Sequence, residues 1–110
     1  MELDTSHWTK EEFLAFLLLY IANSDTEIQE EEKEYIAKKI NAKQLEEMMH
    51  ITASCSDKEC IDLIADLRSK FYPGVRGKNQ LIQEMKDLTM ADGVLNQIEK
   101  FTINTLERLI

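Results

Sequence analysis

Four acidic side chains occupy matching positions in two separate segments of the chain. The pattern Asp-x-x-(Ile/Leu)-x3-Glu-x3-Ile occurs in segment 21–36 and again in segment 88–103. It places Asp25 and Glu32 in the first copy, and Asp92 and Glu99 in the second. Carboxylate oxygens are the ligands that hard divalent cations prefer. If the two copies lie together, these four side chains could hold a divalent cation.

The same carboxylates also fit a purely structural role. Each Asp is expected where one helix ends and the next begins, and each Glu near a helix N-terminus, where a carboxylate accepts backbone N–H bonds. Losing such a cap costs about 0.5–2 kcal/mol. However, Asp25 and Asp92 each continue an apolar stripe and should point partly inward, where a carboxylate needs a partner. The sequence leaves both interpretations open.

The second copy also matches the latter half of an EF-hand calcium loop, including Gly93 and a terminal Glu99. The first half of that loop requires oxygen ligands, but Leu88 and Met90 stand at those positions. A functioning EF-hand is therefore not expected.

Composition and capping signals predict the elements that must position these residues. A chain of 110 residues that is 44% hydrophobic can form one domain, 1–110, with its own core. Three glycines and one proline are too few for the turns of a β-sandwich or barrel. Helix starts are indicated by a capping residue followed three positions later by Glu or Gln. These pairs are Thr9 with Glu12, Thr26 with Gln29, Asn41 with Gln44, Ser56 with Glu59, and Asn96 with Glu99.

The fold class predicted is all-α: a six-helix bundle with an internal duplication of a helix–acidic loop–helix unit. The repeat copies span about 13–40 and 80–107 and are expected to be related by an approximate two-fold axis. Phe13–Ala22 is apolar nearly all round, which predicts the central helix, and Trp8 should pack on Phe13 as a hydrophobic staple. Pro73 and Gly74 should end the fourth helix, with a connection over 75–79 before the fifth. The last helix is expected to turn these residues inward: Ile98, Phe101, Thr105, Leu106 and Leu109.

Net charge and hydropathy limit the partners. A net charge of -8 repels phosphate backbones, so nucleic-acid binding is not expected, and a protein with a basic surface is the favoured partner. The Phe13–Ala22 run is about half a membrane span, which predicts no direct membrane insertion. The polar, acidic segment 1–9 lacks the basic start of a signal peptide, so a cytoplasmic location is expected.

Side chains with other chemistry do not form a known motif. On one continuous helix, Cys55 and Cys60 would point in different directions, which favours two free, dispensable thiols over a disulfide. A zinc site from His50 and these two cysteines would be short of a ligand. No phosphate-binding glycine loop or nucleophile elbow is present, so the domain is expected to be non-enzymatic.

The duplicated pattern, with an apolar helix leading into ADGVLNQIEKFTI, resembles the tellurite-resistance protein TerB family. The resemblance extends over about 8–110, and the family includes the N-terminal domain of a membrane-anchored DnaJ-like co-chaperone. It implies an all-α bacterial domain linked to tellurite and other chemical stress. It also implies metal binding by the shared acidic residues, here Asp25, Glu32, Asp92 and Glu99. The first copy departs from the family pattern, since NSDT replaces the ADG sequence.

Overall fold

The computed structural model describes residues 5–23, 30–89 and 97–109, and every structural statement below refers to these residues. They form six α-helices and no strand, which confirms the predicted all-α bundle. The helices are α1 (Lys10–Asn23), α2 (Glu30–Ala37), α3 (Ala42–Ser54), α4 (Asp57–Phe71), α5 (Gly74–Thr89) and α6 (Gln97–Leu109).

Three of the predicted capping boxes are formed. Before α1, the Glu12 backbone N–H donates to Thr9 Oγ1 at 3.2 Å, and the Thr9 backbone N–H donates back to Glu12 Oε1. The same reciprocal pair joins Asn41 and Gln44 before α3, and Ser56 and Glu59 before α4. Each box satisfies two backbone donors that the first helical turn leaves without intrahelical partners. The predicted caps at Thr26 and Asn96 lie outside the described residues.

Helix α1 is the centre of the bundle, as its apolar circumference predicts. Its residues from 12 to 19 are all buried, and it contacts each of the five other helices. The Trp8 ring packs on Phe16, with ring centroids 5.3 Å apart, whereas Phe13 stacks on Phe71 of α4 at 5.6 Å. The Trp8 ring thus pairs with a residue a turn further along than predicted, and the Phe13 ring pairs with Phe71 and Tyr72. No helix in the described part of the chain has the length and apolarity to cross a membrane.

The turn between α4 and α5 is much shorter than predicted. Helix α4 ends at Phe71 as expected, but α5 begins at Gly74, so residues 75–79 form its first turns rather than a connection. Gly74 has φ +74°, a left-handed conformation that suits glycine. Gly77 is needed for another reason: a Cβ there would collide with the Tyr72 backbone. The glycines that suggested a loop instead permit a tight helix-to-helix turn.

A polar group fastens α2 to α5. Lys39 Nζ, just after α2, lies 3.0 Å from Glu84 Oε2, and the Tyr35 hydroxyl donates to the same oxygen at 3.3 Å. The Lys39 ammonium also lies 4.8 Å from the centroid of the Tyr35 ring. Burial, together with the nearby Glu84 carboxylate, raises the pKa of Tyr35 to about 12. The hydroxyl therefore stays protonated as a donor at neutral pH.

Candidate functional site

The four predicted cation ligands fall largely outside the described residues. Asp25 and Asp92 lie between α1 and α2 and between α5 and α6 in sequence, and neither is described. Glu32 and Glu99 belong to the first turns of α2 and α6, but their side chains lie outside the described residues. The convergence of these four carboxylates on one cation stays a prediction. Within the described part of the chain, no three His, Cys, Asp or Glu side chains are grouped to hold a metal ion.

A cleft of about 450 Å³ opens where the end of α1, the junction of α3 with α4, and α6 meet. Its volume lies in the range of small-molecule and side-chain binding sites. The lining residues are Tyr20, Asn23, Thr52, Cys55, Asp57, Cys60, Ile61, Phe101, Thr102, Thr105 and Leu106. Because these residues are far apart in sequence, only the packed bundle brings them together.

The polar lining of the cleft is rich in hydrogen-bond acceptors. Thr52 and Thr105 donate their hydroxyl protons to carbonyl groups of their own helices, each at 2.9 Å, and so present oxygen lone pairs. Asp57 contributes a carboxylate from the first turn of α4. Burial is the main cause that raises the pKa of Tyr20, with a further contribution from the negative charge of Asp57. Such a lining favours a ligand that donates hydrogen bonds and carries positive charge.

Phe101 forms an exposed aromatic part of the cleft, with 72% of its surface accessible. The prediction that Phe101 faces the core is therefore wrong. At 3.6 residues per turn, Phe101 lies roughly 160° around α6 from Ile103, and the structure buries Ile103 and Leu106. The sequence of α6 carries two apolar stripes, and only packing against α1 and α5 decides which one faces inward. The side chains of Ile98 and Leu109 lie outside the described residues.

The two cysteines meet in the cleft, contrary to the expectation that they point apart. Cys55 is the last residue before the Ser56 cap, and Cys60 is the fourth residue of α4. These are the positions that a hydrophobic staple brings into contact around a capping box. Both thiols are free; Cys55 is half-buried and Cys60 is 2% exposed. Burial first, and then the adjacent Cys55 thiol, raise the pKa of Cys60 to about 12.

A signal for this thiol contact was present in the sequence. Ile40 and Leu45 hold the equivalent positions around the Asn41 cap, and both are buried. The expectation that the thiols point apart applied to one continuous helix. The Ser56–Glu59 capping box instead places a helix boundary between the two cysteines. Taken with that boundary, the spacing predicts contact rather than separation.

The chain matches no family model, no curated protein and no solved structure. The resemblance to the TerB family therefore rests on the duplicated motif residues alone. The described residues contribute a different feature, the cleft, whose lining combines a carboxylate, an exposed aromatic ring and two thiols.

Proposed function

We propose that this chain is a non-enzymatic interaction domain that binds a basic surface of a partner protein. The observation that carries the proposal is the presence of Asp57 and the exposed Phe101 in one cleft. An arginine or lysine side chain of the partner would place its charged group near the Asp57 carboxylate and over the Phe101 ring. Its aliphatic stem would contact the apolar lining at Ile61 and Leu106.

The charge of the whole chain supports the same type of partner. A net charge of -8 attracts basic surfaces and speeds their encounter with the domain. Long-range attraction alone does not select a partner, because it is spread over the acidic surface and is screened by salt. A carboxylate and an aromatic ring in the same cleft add a local preference, and aromatic side chains are enriched at protein interfaces.

The resemblance to the TerB family suggests the setting in which such binding would act. On that resemblance, the domain would be a cytoplasmic accessory or adaptor protein in a bacterial stress response of the tellurite-resistance type. This part of the proposal depends on the duplicated motif and is independent of the cleft.

A second candidate function follows from the same motif. The Asp and Glu of the motif recur with the same spacing in the two sequence copies, as Asp25 and Glu32 and as Asp92 and Glu99, and a divalent cation would be their ligand. In sequence, Asp25 lies between α1 and α2 and Asp92 between α5 and α6, and α1 contacts both α2 and α5. The two functions use different residues and are tested separately.

The cleft is tested by nuclear magnetic resonance titration of the isotope-labelled chain. The probe is a short glycine–serine peptide with one arginine, and its matched control carries uncharged citrulline at that position. We expect the arginine peptide to shift amide signals of Tyr20, Asp57 and Phe101, and the citrulline peptide to have little effect. Equal shifts from both peptides, or none from either, would contradict a cleft for basic side chains.

Variants separate the cleft from general charge attraction. Phe101→Ala should weaken arginine-peptide binding about tenfold, which corresponds to about 1.4 kcal/mol. Asp57→Asn should weaken it similarly. The matched controls are Val75→Ala, the other highly exposed large apolar side chain, and Asp66→Asn, an exposed acid of α4 outside the cleft lining. If the controls weaken binding as much as the cleft variants, general electrostatics explains it.

A further inference from the structure

The cleft holds a pair of thiols whose chemistry the proposed binding function does not use. Cys55 caps the C-terminus of α3, and its backbone N–H donates to Ile51. Cys60 lies one turn into α4, and the Ser56 cap between the two residues places them at staple positions. Both residues line the same opening, so a small reagent that enters the cleft can reach Cys55, the more exposed of the two.

We propose that Cys55 and Cys60 form an intramolecular disulfide by exchange with a small-molecule disulfide such as glutathione disulfide. In the first step, the Cys55 thiolate attacks one sulfur of glutathione disulfide. One glutathione thiolate leaves and the other glutathione stays bonded to Cys55. In the second step, Cys60 loses its proton and attacks Cys55 Sγ, and the second glutathione leaves as a thiol. The protein loses two electrons and two protons, and glutathione disulfide becomes two glutathione molecules.

Accessibility fixes the order of these two steps. Cys55 is half-exposed at the cleft, whereas Cys60 is 2% exposed and contacts the core. The raised pKa of Cys60 also keeps it protonated at neutral pH, so it attacks a disulfide in solution slowly, and its attack on the adjacent mixed disulfide is favoured by proximity. Cys55 is therefore the attacking residue and Cys60 the resolving residue.

The helix junction allows the disulfide to close with little rearrangement. Ser56 and Glu59 make the capping-box bonds between the two cysteines, through their own side chains and backbone groups. Disulfide closure uses only the two Sγ atoms, so these bonds can persist. A staple pair brings its two side chains together across the helix boundary, which is the arrangement from which a disulfide can close.

The test is the intact mass of the folded chain after incubation with glutathione disulfide and an acid quench. We expect the parent chain to lose two hydrogen atoms and to carry no glutathione. Trypsin cleaves after Lys58, between the cysteines, so the disulfide should join peptides 44–58 and 59–68. A parent chain that accumulates a glutathione adduct, or that stays unmodified while the denatured chain reacts, would overturn the proposal.

Single variants identify the two roles. Cys60→Ala should trap a glutathione adduct on Cys55, because the resolving thiol is missing. Cys55→Ala should stay unmodified while folded and react only after denaturation, because Cys60 is buried. An adduct on Cys60 in folded Cys55→Ala would overturn the assigned order. Circular dichroism checks that both variants keep their helix content, and the parent-chain experiment decides the disulfide itself if either variant unfolds.

Discussion

At the scale of single residues, short polar side chains set where α1, α3 and α4 begin. Thr9, Asn41 and Ser56 each accept a backbone N–H bond from the residue three positions later. Asp57 then combines a structural and a chemical role: it lies in the first turn of α4, where negative charge is favourable, and its carboxylate lines the cleft. The duplicated acidic residues pose the same choice between helix capping and ligand binding.

Asp92→Asn distinguishes these two roles. If Asp92 helps to hold a cation, adding that ion should stabilise the parent chain by about 2.7 kcal/mol at a hundredfold excess over Kd, and the variant should lose this gain. If Asp92 only caps a helix, the substitution should cost about 1 kcal/mol with or without ions. Melting curves of both chains with EDTA, Ca²⁺, Mg²⁺, Mn²⁺ and Zn²⁺ measure the difference. A parent chain that responds to none of these ions at millimolar concentration would rule out the cation function.

At the scale of helices, the α4–α5 turn depends on two glycines with different tasks. Gly74 adopts a left-handed backbone conformation, and Gly77 allows α5 to approach the Tyr72 backbone. Tyr72 is itself buried against Phe13, with ring centroids 6.0 Å apart. The close approach at Gly77 therefore holds the start of α5 next to the core.

Gly77→Ala should destabilise the fold although alanine is the better helix former. The propensity gain is about 1 kcal/mol, but the new methyl group would meet backbone atoms that cannot rotate away. Overpacking of this kind costs about 1–3 kcal/mol, so we expect a net loss in the free energy of unfolding. Urea denaturation measures it, with Asn79→Ala, an exposed position in the same helix, as the control. A stability gain in Gly77→Ala equal to that of the control would show that α5 does not approach Tyr72 closely.

At the scale of the whole molecule, the bundle is organised around α1. The core cluster draws buried residues from every helix, and α1 supplies the longest uninterrupted run of them. The cleft opens at the C-terminal end of this helix, where Tyr20 and Asn23 meet α3, α4 and α6. The rigidity of the cleft therefore depends on the packing of α1.

Leu18→Ala tests the central position of α1. Leu18 is fully buried, so its truncation should cost about 2–5 kcal/mol of unfolding free energy. Leu63→Ala on α4 is the matched control; Leu63 is only partly buried and should cost clearly less. Chemical denaturation of both variants gives the comparison. A loss below about half a kcal/mol for Leu18→Ala, the size typical of surface substitutions, would contradict the central placement.

Local sequence patterns were sufficient to predict the number of helices in the described chain, three of their caps and the central position of α1. These features are local: a capping box involves residues three positions apart, and an apolar circumference is visible within one helix. The position of the cleft was not predictable in this way, because α1, α3, α4 and α6 contribute to it from distant parts of the chain.

The tertiary structure sets how each helix is rotated about its axis and how closely neighbouring helices approach. It turned Phe101 outward because α6 buries its other apolar stripe at Ile103 and Leu106. It brought Cys55 and Cys60 together because the helix boundary, and not one continuous helix, sets their directions. It placed Gly77 within α5, where the absence of a Cβ lets this helix lie against the Tyr72 backbone. Each outcome depends on contacts between helices. The hydrophobic period of a single helix does not predict such contacts.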